Sequence, residues 1–314
     1  IAGMVIAGAS FGDKMSPISD TTNLAAMSAG TDLYRHIHAM SLSTGPSYLV
    51  VLVIFSVLGS TYGAVPAEQT AAAALLAALD ATFTIDWVTL IPIALMLILG
   101  WRRVPPEAVL IAASFSALII AWGLQDASIA GLLTSLYTGV SQTTGAPILD
   151  TLINRGGIGA MAWTLTLAIL AIAMGALLSQ LNLLKALLTP IAQRIQRPAQ
   201  LLTVSTTAAA ASNAALTEPY AAIILNGQVF QDVYDRQNID RAMLSRTLEE
   251  GSTLTAALIP WTTTAIFYSA ILGVRTLDYA PLALLNWMNP LIGIAMAWLG
   301  LGYLTSKVNA ANTE

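Results

Sequence analysis

The sequence has no cysteine and only two histidines among its 314 residues. Without cysteine the chain forms no disulfide framework, no thiolate metal site and no cysteine nucleophile. The histidines, His36 and His38, stand together in "TDLYRHIHAM", whose composition indicates a polar loop. A catalytic zinc site needs about three protein ligands. We therefore expect neither a histidine-built metal centre nor any cofactor.

Charge is also scarce, since charged residues make up 10% of the chain and hydrophobic residues 56%. Soluble domains carry about 25% charged residues, so this composition indicates an integral membrane protein. The mean hydropathy of +0.72 agrees with that interpretation. The net charge of −4 is spread along the chain without a block of one sign. We therefore expect lipid as a partner and no nucleic acid.

Long apolar runs recur along the sequence, at 46–63, 87–101, 106–124, 158–181 and 281–304. A transmembrane helix needs roughly 17 to 25 apolar residues, and counting interrupted segments the chain offers about eight membrane-embedded helices. The sequence therefore predicts an all-α polytopic membrane protein. The short connection "GWRRVPPE" carries Arg102 and Arg103, which favours a cytoplasmic position for it.

The first residues, "IAGMVIAGAS", begin inside an apolar segment and show no basic stretch before it. They do not resemble a signal peptide. Our interpretation is that residues are missing upstream and that the sequence is the C-terminal part of a longer transporter.

One polar motif interrupts the apolar sequence near the start: "FGDKMSPISDTTN" places Asp13, Lys14 and Asp20 among small and apolar residues. Pro17 removes a helix hydrogen bond and Ser19 is a good helix cap, so a continuous helix is not expected here. Exposed backbone survives at membrane depth only where protein or a water-filled cavity surrounds it. The motif therefore predicts a broken helix with a functional purpose.

The side chains of the motif suit a small cation. Asp13 and Asp20 are hard oxygen ligands, and we place Na⁺ at these two carboxylates and Thr21. Neutral oxygens are available from Ser16, Ser19, Thr21, Thr22 and Asn23. A partly desolvated carboxylate also takes up protons, so Na⁺ and H⁺ would compete for one group.

Structural alternatives stay open for the charged residues of the motif. Asp20 could be only a helix cap, and Asp13 with Lys14 only a pair at a membrane boundary. Lys14 would either neutralise an aspartate when the ion is absent or extend its amine to the membrane interface.

A short internal sequence similarity links this motif to a later segment. "SPISDTTN" and "ALIPWTTT" both place a proline before a threonine pair, Thr21-Thr22 and Thr262-Thr263. Interrupted apolar segments in corresponding places point to the binding site of a repeat-built transporter, although two such short matches can arise by chance. We predict one transporter domain over 1–314, with the end of a first repeat at 1–63 and a second repeat at 82–304.

Three stretches carry a resemblance to a known family: "FGDKMSPISDTTNLA", "NRGGIGAMAWTLTLAIL" and "LSRTLEEGSTLTAALIPWTT". They resemble the NhaC-type Na⁺/H⁺ antiporters, whose members are usually longer at the N-terminus. The resemblance implies inverted repeats, discontinuous transmembrane helices, re-entrant hairpins and alternating access. It also adds residues of the third stretch to the candidate site: Thr253, Thr255, Pro260, Trp261, Thr262 and Thr263.

One segment departs from that family pattern. Where the family often has a Gly-Asp-Gln-Tyr-like run, this chain has Thr217, Glu218, Pro219 and Tyr220 after Asn213. We predict that Asn213 and Glu218 join the ion site, with a helix-capping role for Glu218 as the alternative. The departure leaves ion choice and coupling open, with a branch that exchanges organic acids or another cation as the alternative.

Other charged or aromatic residues receive simpler interpretations. Glu249 and Glu250 are expected to stabilise a helix N-terminus. Arg155 is expected to anchor topology rather than bind an anion. Trp261 is expected at the membrane interface, with a modulatory role as the alternative.

The most hydrophilic stretch follows position 230. Its charged side chains are expected to be solvated and mutually compensated: Asp232, Asp235, Arg236, Asp240, Arg241 and Arg246.

The functional prediction is Na⁺/H⁺ exchange by a multi-pass transporter, not an enzyme, in a bacterial or archaeal inner membrane. Coupled exchange of small carboxylates such as malate and lactate is the alternative, and a homodimer stays open. A passive channel is less favoured. An intramembrane aspartyl protease is remote, because Ser10 replaces the first glycine of Gly-x-Gly-Asp and the Tyr234-Asp235 pair lies in the hydrophilic stretch.

Overall fold

The computed structural model describes residues 1–17, 19–61, 66–102, 104–125, 127–144, 149–150, 153–154 and 156–305. Regular structure in these residues is helical, apart from an isolated bridge between Ile239 and Thr305. The all-α prediction is therefore confirmed. The α-helices are α1 Ala2–Lys14, α2 Asp20–Ala29, α3 Leu33–Thr61, α4 Pro66–Thr82, α5 Ile91–Trp101, α6 Pro106–Leu124, α7 Ile129–Thr138, α8 Gly157–Gln180, α9 Leu183–Gln193, α10 Pro198–Leu216, α11 Pro219–Arg236, α12 Arg241–Gly251, α13 Thr253–Ala256, α14 Thr263–Leu272, α15 Thr276–Tyr279 and α16 Leu284–Trp298.

Several helices are long and apolar enough to cross a membrane. Within the described residues, two single helices are long and apolar enough to span a membrane: Leu33–Ser60 and Glu107–Leu124. Two bent pairs raise the number to four if each pair is one span: Leu75–Thr82 with Trp87–Trp101, and Thr276–Leu282 with Leu284–Trp298. These helices fit a membrane protein.

One unit of the chain comprises Gly59–Leu165. Within it α5 packs along α6, and Gln125, just after α6, is hydrogen-bonded to Thr84 in the segment that precedes α5. The Gln125 side chain donates to the Thr84 carbonyl over 2.8 Å and accepts from the Thr84 amide over 3.1 Å. Large apolar side chains of both helices point outward, including Leu97, which is 71% exposed.

The other unit comprises Ile1–Leu58 and Thr166–Glu314. Its main core lies among α2, α10, α11 and α12, where Leu201, Phe230, Tyr234 and Met243 are fully enclosed. The helices approach closely because small residues face each other: a Cβ on Gly251 would lie 2.3 Å from the Thr206 carbonyl oxygen. This core packs together α2, α10 and α11, three of the helices that carry candidate residues of the sequence.

Helix α3 corrects one sequence prediction. It runs without a break from Leu33 to Thr61 through Pro46, so the polar loop expected around Arg35 and the two histidines is helix. A proline inside a helix is tolerated where neighbouring groups satisfy the freed backbone. Polar residues of α3 are spaced at helical intervals and face inward, with His36, Ser43 and Ser47 fully buried.

Candidate functional site

The opening motif leaves the helical conformation between Lys14 and Asp20. Helix α2 begins with Ser19 as its cap, since the Ser19 hydroxyl accepts from the Thr22 amide over 3.5 Å. The Asn23 amide donates to the Pro17 carbonyl over 3.0 Å and to the Ser19 carbonyl over 2.7 Å. The Ser16 carbonyl oxygen accepts a hydrogen bond from the Ser19 amide. Asn23 therefore holds the interrupted backbone in place.

Both aspartates of the motif are exposed and lie near hydroxyl groups. The Asp13 carboxylate is within hydrogen-bonding reach of Ser19 and Thr21. The Ser19 and Thr21 hydroxyl oxygens are 3.2 Å apart and both residues are buried. The Asp20 carboxylate accepts from the Thr21 amide over 2.7 Å. The structure therefore brings together Asp13, Asp20, Ser19 and Thr21, and the helix cap is Ser19 rather than Asp20.

Thr22 points away from this group into the protein. Its hydroxyl lies 3.0 Å from the Glu249 carboxylate and 3.3 Å from the Lys14 carbonyl oxygen. Thr22 is fully buried. It connects the opening motif to a buried polar network that the sequence did not reveal.

A second interruption separates α10 from α11. Thr217 has φ of 63°, in the left-handed region that non-glycine residues seldom occupy. Glu218 stands at the N-cap position of α11, where its carboxylate lies near the Tyr220 backbone amide, so the capping alternative stays open. Its Oε2 accepts from the Thr263 hydroxyl over 2.8 Å. Two residues on, the Tyr220 hydroxyl donates to the Asp20 carboxylate.

A third interruption lies between α13 and α14. The Thr263 amide donates to the Thr217 carbonyl over 3.1 Å, which joins this interruption to the second. Thr262 caps α14 by accepting from the Ala265 amide over 3.3 Å. Trp261 is exposed, and its indole nitrogen donates to the Ala214 carbonyl over 2.8 Å.

The threonine pairs of the two similar segments, Thr21-Thr22 and Thr262-Thr263, do not occupy equivalent positions in their helices. Thr262 is a cap, whereas Thr21 and Thr22 follow the capping residue Ser19. Ser19 is therefore the positional counterpart of Thr262.

Asn213 and Thr255 contact each other near the C-terminal end of α10. The Asn213 amide lies 3.3 Å from the Thr255 hydroxyl and 2.9 Å from the Ser252 carbonyl oxygen. These bonds join the end of α10 to the junction of α12 and α13. The two side chains therefore hold neighbouring backbone in place.

Lys14 lies in a buried network rather than at an interface or against an aspartate. It is fully buried, its amine donates to the Asn289 side-chain oxygen over 2.5 Å, and it lies 3.6 Å from the Glu250 carboxylate. Arg246, also buried, lies 3.6 Å from the same carboxylate. Both sequence interpretations of Lys14 are wrong, because its partners come from distant α12 and α16.

Glu249 and Glu250 are likewise buried at the end of α12, so their predicted role at a helix N-terminus is wrong. Glu249 Oε2 lies 2.8 Å from His36 Nε2, and His36 Nδ1 lies 2.6 Å from the Ser245 hydroxyl. Glu250 accepts from Ser43. The sequence did contain one indication of these contacts. Residues four apart lie on the same face of a helix, as Ser245 does with Glu249 and Arg246 with Glu250.

The hydrophilic stretch is therefore solvated only in part. Arg241 and Asp235 form an exposed pair, with bonds of 2.9 and 2.6 Å. Arg246 is 1% exposed, which contradicts its predicted solvation. Arg155 lies outside the described residues. Within the described part of the chain, no group of three or more histidine, aspartate or glutamate side chains is arranged to hold a metal ion.

Comparison with known proteins gives a consistent result. Residues 8–301 match the Na⁺/H⁺ antiporter family. The chain is 34% identical to the Na⁺/H⁺ antiporter NhaC of Alkalihalophilus pseudofirmus, over 96% of this chain and 65% of that protein. Identity to NhaC of Bacillus subtilis is also 34%, over 95% of this chain and 66% of the relative.

A third relative has a different name. The chain is 31% identical to the malate-2H⁺/Na⁺-lactate antiporter of Bacillus subtilis, over 100% of this chain and 67% of that protein. These relatives are named as antiporters, that is, transporters rather than enzymes. No solved structure matches the chain.

The chain thus spans about two thirds of the length of the relatives it matches. The match covers the opening motif and all three interrupted segments described above. The chain belongs to the Na⁺/H⁺ antiporter family.

Proposed function

We propose that the protein exchanges Na⁺ for H⁺ across a membrane and that both ions bind at the opening motif. The observation that carries this proposal is the grouping of the Asp13 and Asp20 carboxylates with the Ser19 and Thr21 hydroxyls at a helix interruption. Membership of the antiporter family supports the reaction class. Na⁺ and H⁺ are the transported substrates, and the proposal needs no cofactor.

The chemistry follows from the oxygen ligands. A Na⁺ ion that loses water must regain oxygen contacts, which the two carboxylates and the Thr21 hydroxyl supply. Protonation of a carboxylate removes its negative charge and weakens its hold on Na⁺. Exchange therefore requires only that one carboxylate binds either ion and faces each side of the membrane in turn.

Alternating access belongs to the proposal. Interrupted helices place polar backbone near the ion, and such backbone is tolerated at membrane depth only when it lines a cavity or is buried in protein. We place the interruptions of α1–α2, α10–α11 and α13–α14 at that depth. The division into repeats at 1–63 and 82–304, a homodimer and an inner-membrane location stay predictions.

Glu218 and the threonines near it support a second polar position beside the ion site. Tyr220 joins them, because its hydroxyl contacts Asp20 while Glu218 lies two residues earlier. In the proposal Glu218 shapes the field at Asp20, since the two carboxylates interact electrostatically. Asn213, Thr255 and Trp261 support the surrounding backbone.

The test uses the full-length protein in proteoliposomes that contain a pH-sensitive dye. An imposed proton gradient is challenged with Na⁺, Li⁺ and K⁺. We expect Na⁺-driven proton flux that falls at least tenfold in Asp20→Asn, a loss on the order of 1.4 kcal/mol or more. Asp232→Asn is the matched control, because Asp232 is an exposed aspartate on α11. Undiminished flux in Asp20→Asn would refute the assignment of the ion site.

A second candidate function has a specific observation in its favour. The malate-2H⁺/Na⁺-lactate antiporter of Bacillus subtilis is similar to the whole of this chain. Coupled carboxylate exchange would produce proton flux when malate is added outside vesicles that have been loaded with lactate. A response that needs both carboxylates, and no response to Na⁺ alone, would favour this function over simple Na⁺/H⁺ exchange.

A further inference from the structure

The Thr22 hydroxyl joins the two sides of the interruption between α1 and α2. Lys14 is the last residue of α1, and its carbonyl oxygen lies 3.3 Å from the Thr22 hydroxyl oxygen. The last carbonyl oxygens of a helix have no partner within that helix. Thr22 stands in the first turn of α2 and supplies a donor to one of them. The contact therefore closes the interruption from one helix to the next.

The same hydroxyl is held from the protein core by Glu249. Glu249 lies near the end of α12, and its Oε1 accepts from the Thr22 hydroxyl over 3.0 Å. Neither side chain has exposed surface, so water does not compete for this bond. A hydrogen bond to a carboxylate is among the stronger hydrogen bonds in proteins. Helix α12 therefore anchors the interruption through one carboxylate oxygen.

The other oxygen of Glu249 is held by His36 of α3. Oε2 lies 2.8 Å from His36 Nε2, and the opposite ring nitrogen lies 2.6 Å from the hydroxyl of Ser245, one turn earlier on α12. The imidazole thus bridges two residues of one helix, and all three side chains are fully buried. Because each oxygen of the carboxylate has a different neighbour, the carboxylate is restricted to one orientation, in which Oε1 faces Thr22.

The contacts of the Thr22 hydroxyl bear on the two aspartates through the backbone. Asp13 directly precedes Lys14 in the chain, and Asp20 stands two residues before Thr22. A displacement of Thr22 relative to the Lys14 carbonyl group therefore changes the separation of the aspartates. Binding groups must be held within about 0.5 Å of their working geometry by neighbours that are themselves fixed by packing and hydrogen bonds. Glu249 and His36 are such neighbours.

We propose that Glu249 and Thr22 are positioning residues of the ion site: their hydrogen bond holds the interruption closed and sets the separation of the Asp13 and Asp20 carboxylates. The bond acts through the backbone, and neither residue contacts the ion. The effect on the ion rests on the proposed function, whereas the closure of the interruption does not. Loosening the bond separates the oxygen ligands and weakens Na⁺ binding.

Hydrogen–deuterium exchange of the purified full-length protein tests the closure of the interruption. Thr22→Val removes the hydroxyl and keeps the shape of the side chain. The bonded backbone amides of Ser16 and Asn23 should then exchange about tenfold faster, as loss of a hydrogen bond to a charged group implies. Thr22→Ser keeps the hydroxyl and should exchange as the unsubstituted protein does.

Thr247→Val is the matched control for this exchange experiment. Thr247 is another fully buried threonine, and its hydroxyl is hydrogen-bonded within the core, away from the opening motif. Its substitution therefore removes a buried hydroxyl without touching the interruption. Equal exchange of the Ser16 and Asn23 amides in Thr22→Val and Thr247→Val would overturn the proposal.

The dependence of flux on Na⁺ concentration tests the positioning role. We expect Thr22→Val to raise the half-saturating Na⁺ concentration about tenfold, with the maximal flux per folded protein within about threefold. Glu249→Asp keeps the charge but withdraws the carboxylate by one methylene, so it should have the same effect. The double variant should be no weaker than the weaker single variant, because both changes break one bond. Thr22→Ser and Thr247→Val should bind Na⁺ normally.

Three results would overturn the positioning role. The first is an unchanged half-saturating concentration in Thr22→Val. The second is a fall in maximal flux alone, because a purely structural role reduces the amount of working protein and not its affinity for Na⁺. The third is an additive loss of affinity in the double variant, which would mean that Thr22 and Glu249 act separately. If Glu249→Asp does not fold, the Thr22 variants decide.

Failure of the proposed function is recognised separately, because hydrogen exchange is measured without an ion gradient. Faster exchange in Thr22→Val, in a protein without Na⁺-driven flux, would support the closure of the interruption and contradict the proposed function. Na⁺-driven flux with one half-saturating concentration in all variants would support the proposed function and overturn the positioning role.

Discussion

Lys14, Arg246 and Glu250 are ionisable side chains with almost no exposed surface. Removing a charge from water costs several kcal/mol unless a partner of opposite charge and hydrogen bonds replace the water. Glu250 lies 3.6 Å from both cations, and Asn289 accepts from Lys14. Each of these side chains therefore depends on the others.

Substitution of Lys14 by methionine tests this dependence. The substitution removes the amine that faces Glu250 and Asn289, and removal of one member of a buried pair costs about 3–5 kcal/mol. We expect Lys14→Met to lower the free energy of unfolding by about that amount, measured by denaturation in detergent micelles. Lys185→Met is the control, because Lys185 is exposed. Similar stability of the two variants would contradict the buried-network description.

A double variant sharpens the interpretation. In Lys14→Met the Glu250 carboxylate still faces Arg246 at 3.6 Å, whereas a further Glu250→Gln substitution removes the carboxylate that faces Arg246. We expect the double variant to be less stable than Lys14→Met alone, because buried Arg246 then loses its compensating negative charge.

At the scale of the elements, interrupted helices are stabilised by hydroxyl caps and by contacts between interruptions. Ser19 and Thr262 cap α2 and α14 in the same way, and Thr263 joins the third interruption to Thr217. The regular helices around them are held by close packing. Gly251 of α12 meets the backbone of α10 at Thr206.

Gly251→Ala tests that close packing. The new Cβ would lie 2.3 Å from the Thr206 carbonyl oxygen and 2.6 Å from the Ala209 Cβ, so the helices must separate. Overpacking costs about 1–3 kcal/mol, and backbone contact places this variant at the upper end.

Gly45→Ala is the matched control, since Gly45 lies inside α3 with nothing within 4 Å of a new Cβ. It should be neutral or stabilise by about 0.5–1 kcal/mol. Melting temperatures in detergent distinguish the two. An unaffected Gly251 variant would show that α10 and α12 are farther apart than described.

At the scale of the molecule, large apolar side chains cover the outside of the long helices. Phe115 and Ile119 of α6 are 62% and 65% exposed, and such surface would be unfavourable in water. In a lipid bilayer the same surface is solvated by acyl chains. The exposed apolar faces therefore agree with a membrane protein.

Phe115→Arg tests the lipid contact. Phe115 lies at the middle of Pro106–Leu124, and arginine at the centre of a transmembrane helix costs about 2.5–3.5 kcal/mol on insertion. We expect a strong fall in membrane-inserted protein, measured by a glycosylation-tag insertion assay. Phe115→Leu should insert normally. Normal insertion of the arginine variant would place α6 outside the bilayer core.

The end of α1 and the start of α2 were predictable because their signals are local. Pro17 and Ser19 act on the backbone within a few residues, and Asp13, Asp20 and Thr21 are close enough in sequence to share one interruption. The all-α fold followed from apolar runs of membrane length. The end of α10 followed from the polar residues of "SNAALTEPY" in the same way.

The buried network was not predictable by that approach. Glu249 and Glu250 resemble helix-terminal acids in the sequence because their partners, His36, Lys14 and Ser43, are about 200 or more residues away. Helical spacing indicates which residues share a face, but it does not say which helix covers that face.

The sequence by itself indicated a membrane protein, the helical class and the place where α1 ends, since each depends on composition or on neighbouring residues. Only the tertiary structure decided which charges are buried, that Tyr220 reaches Asp20, and that Glu249 reaches Thr22. Those features depend on packing between helices distant in sequence, and the free energy of a buried charge is set by the groups that surround it.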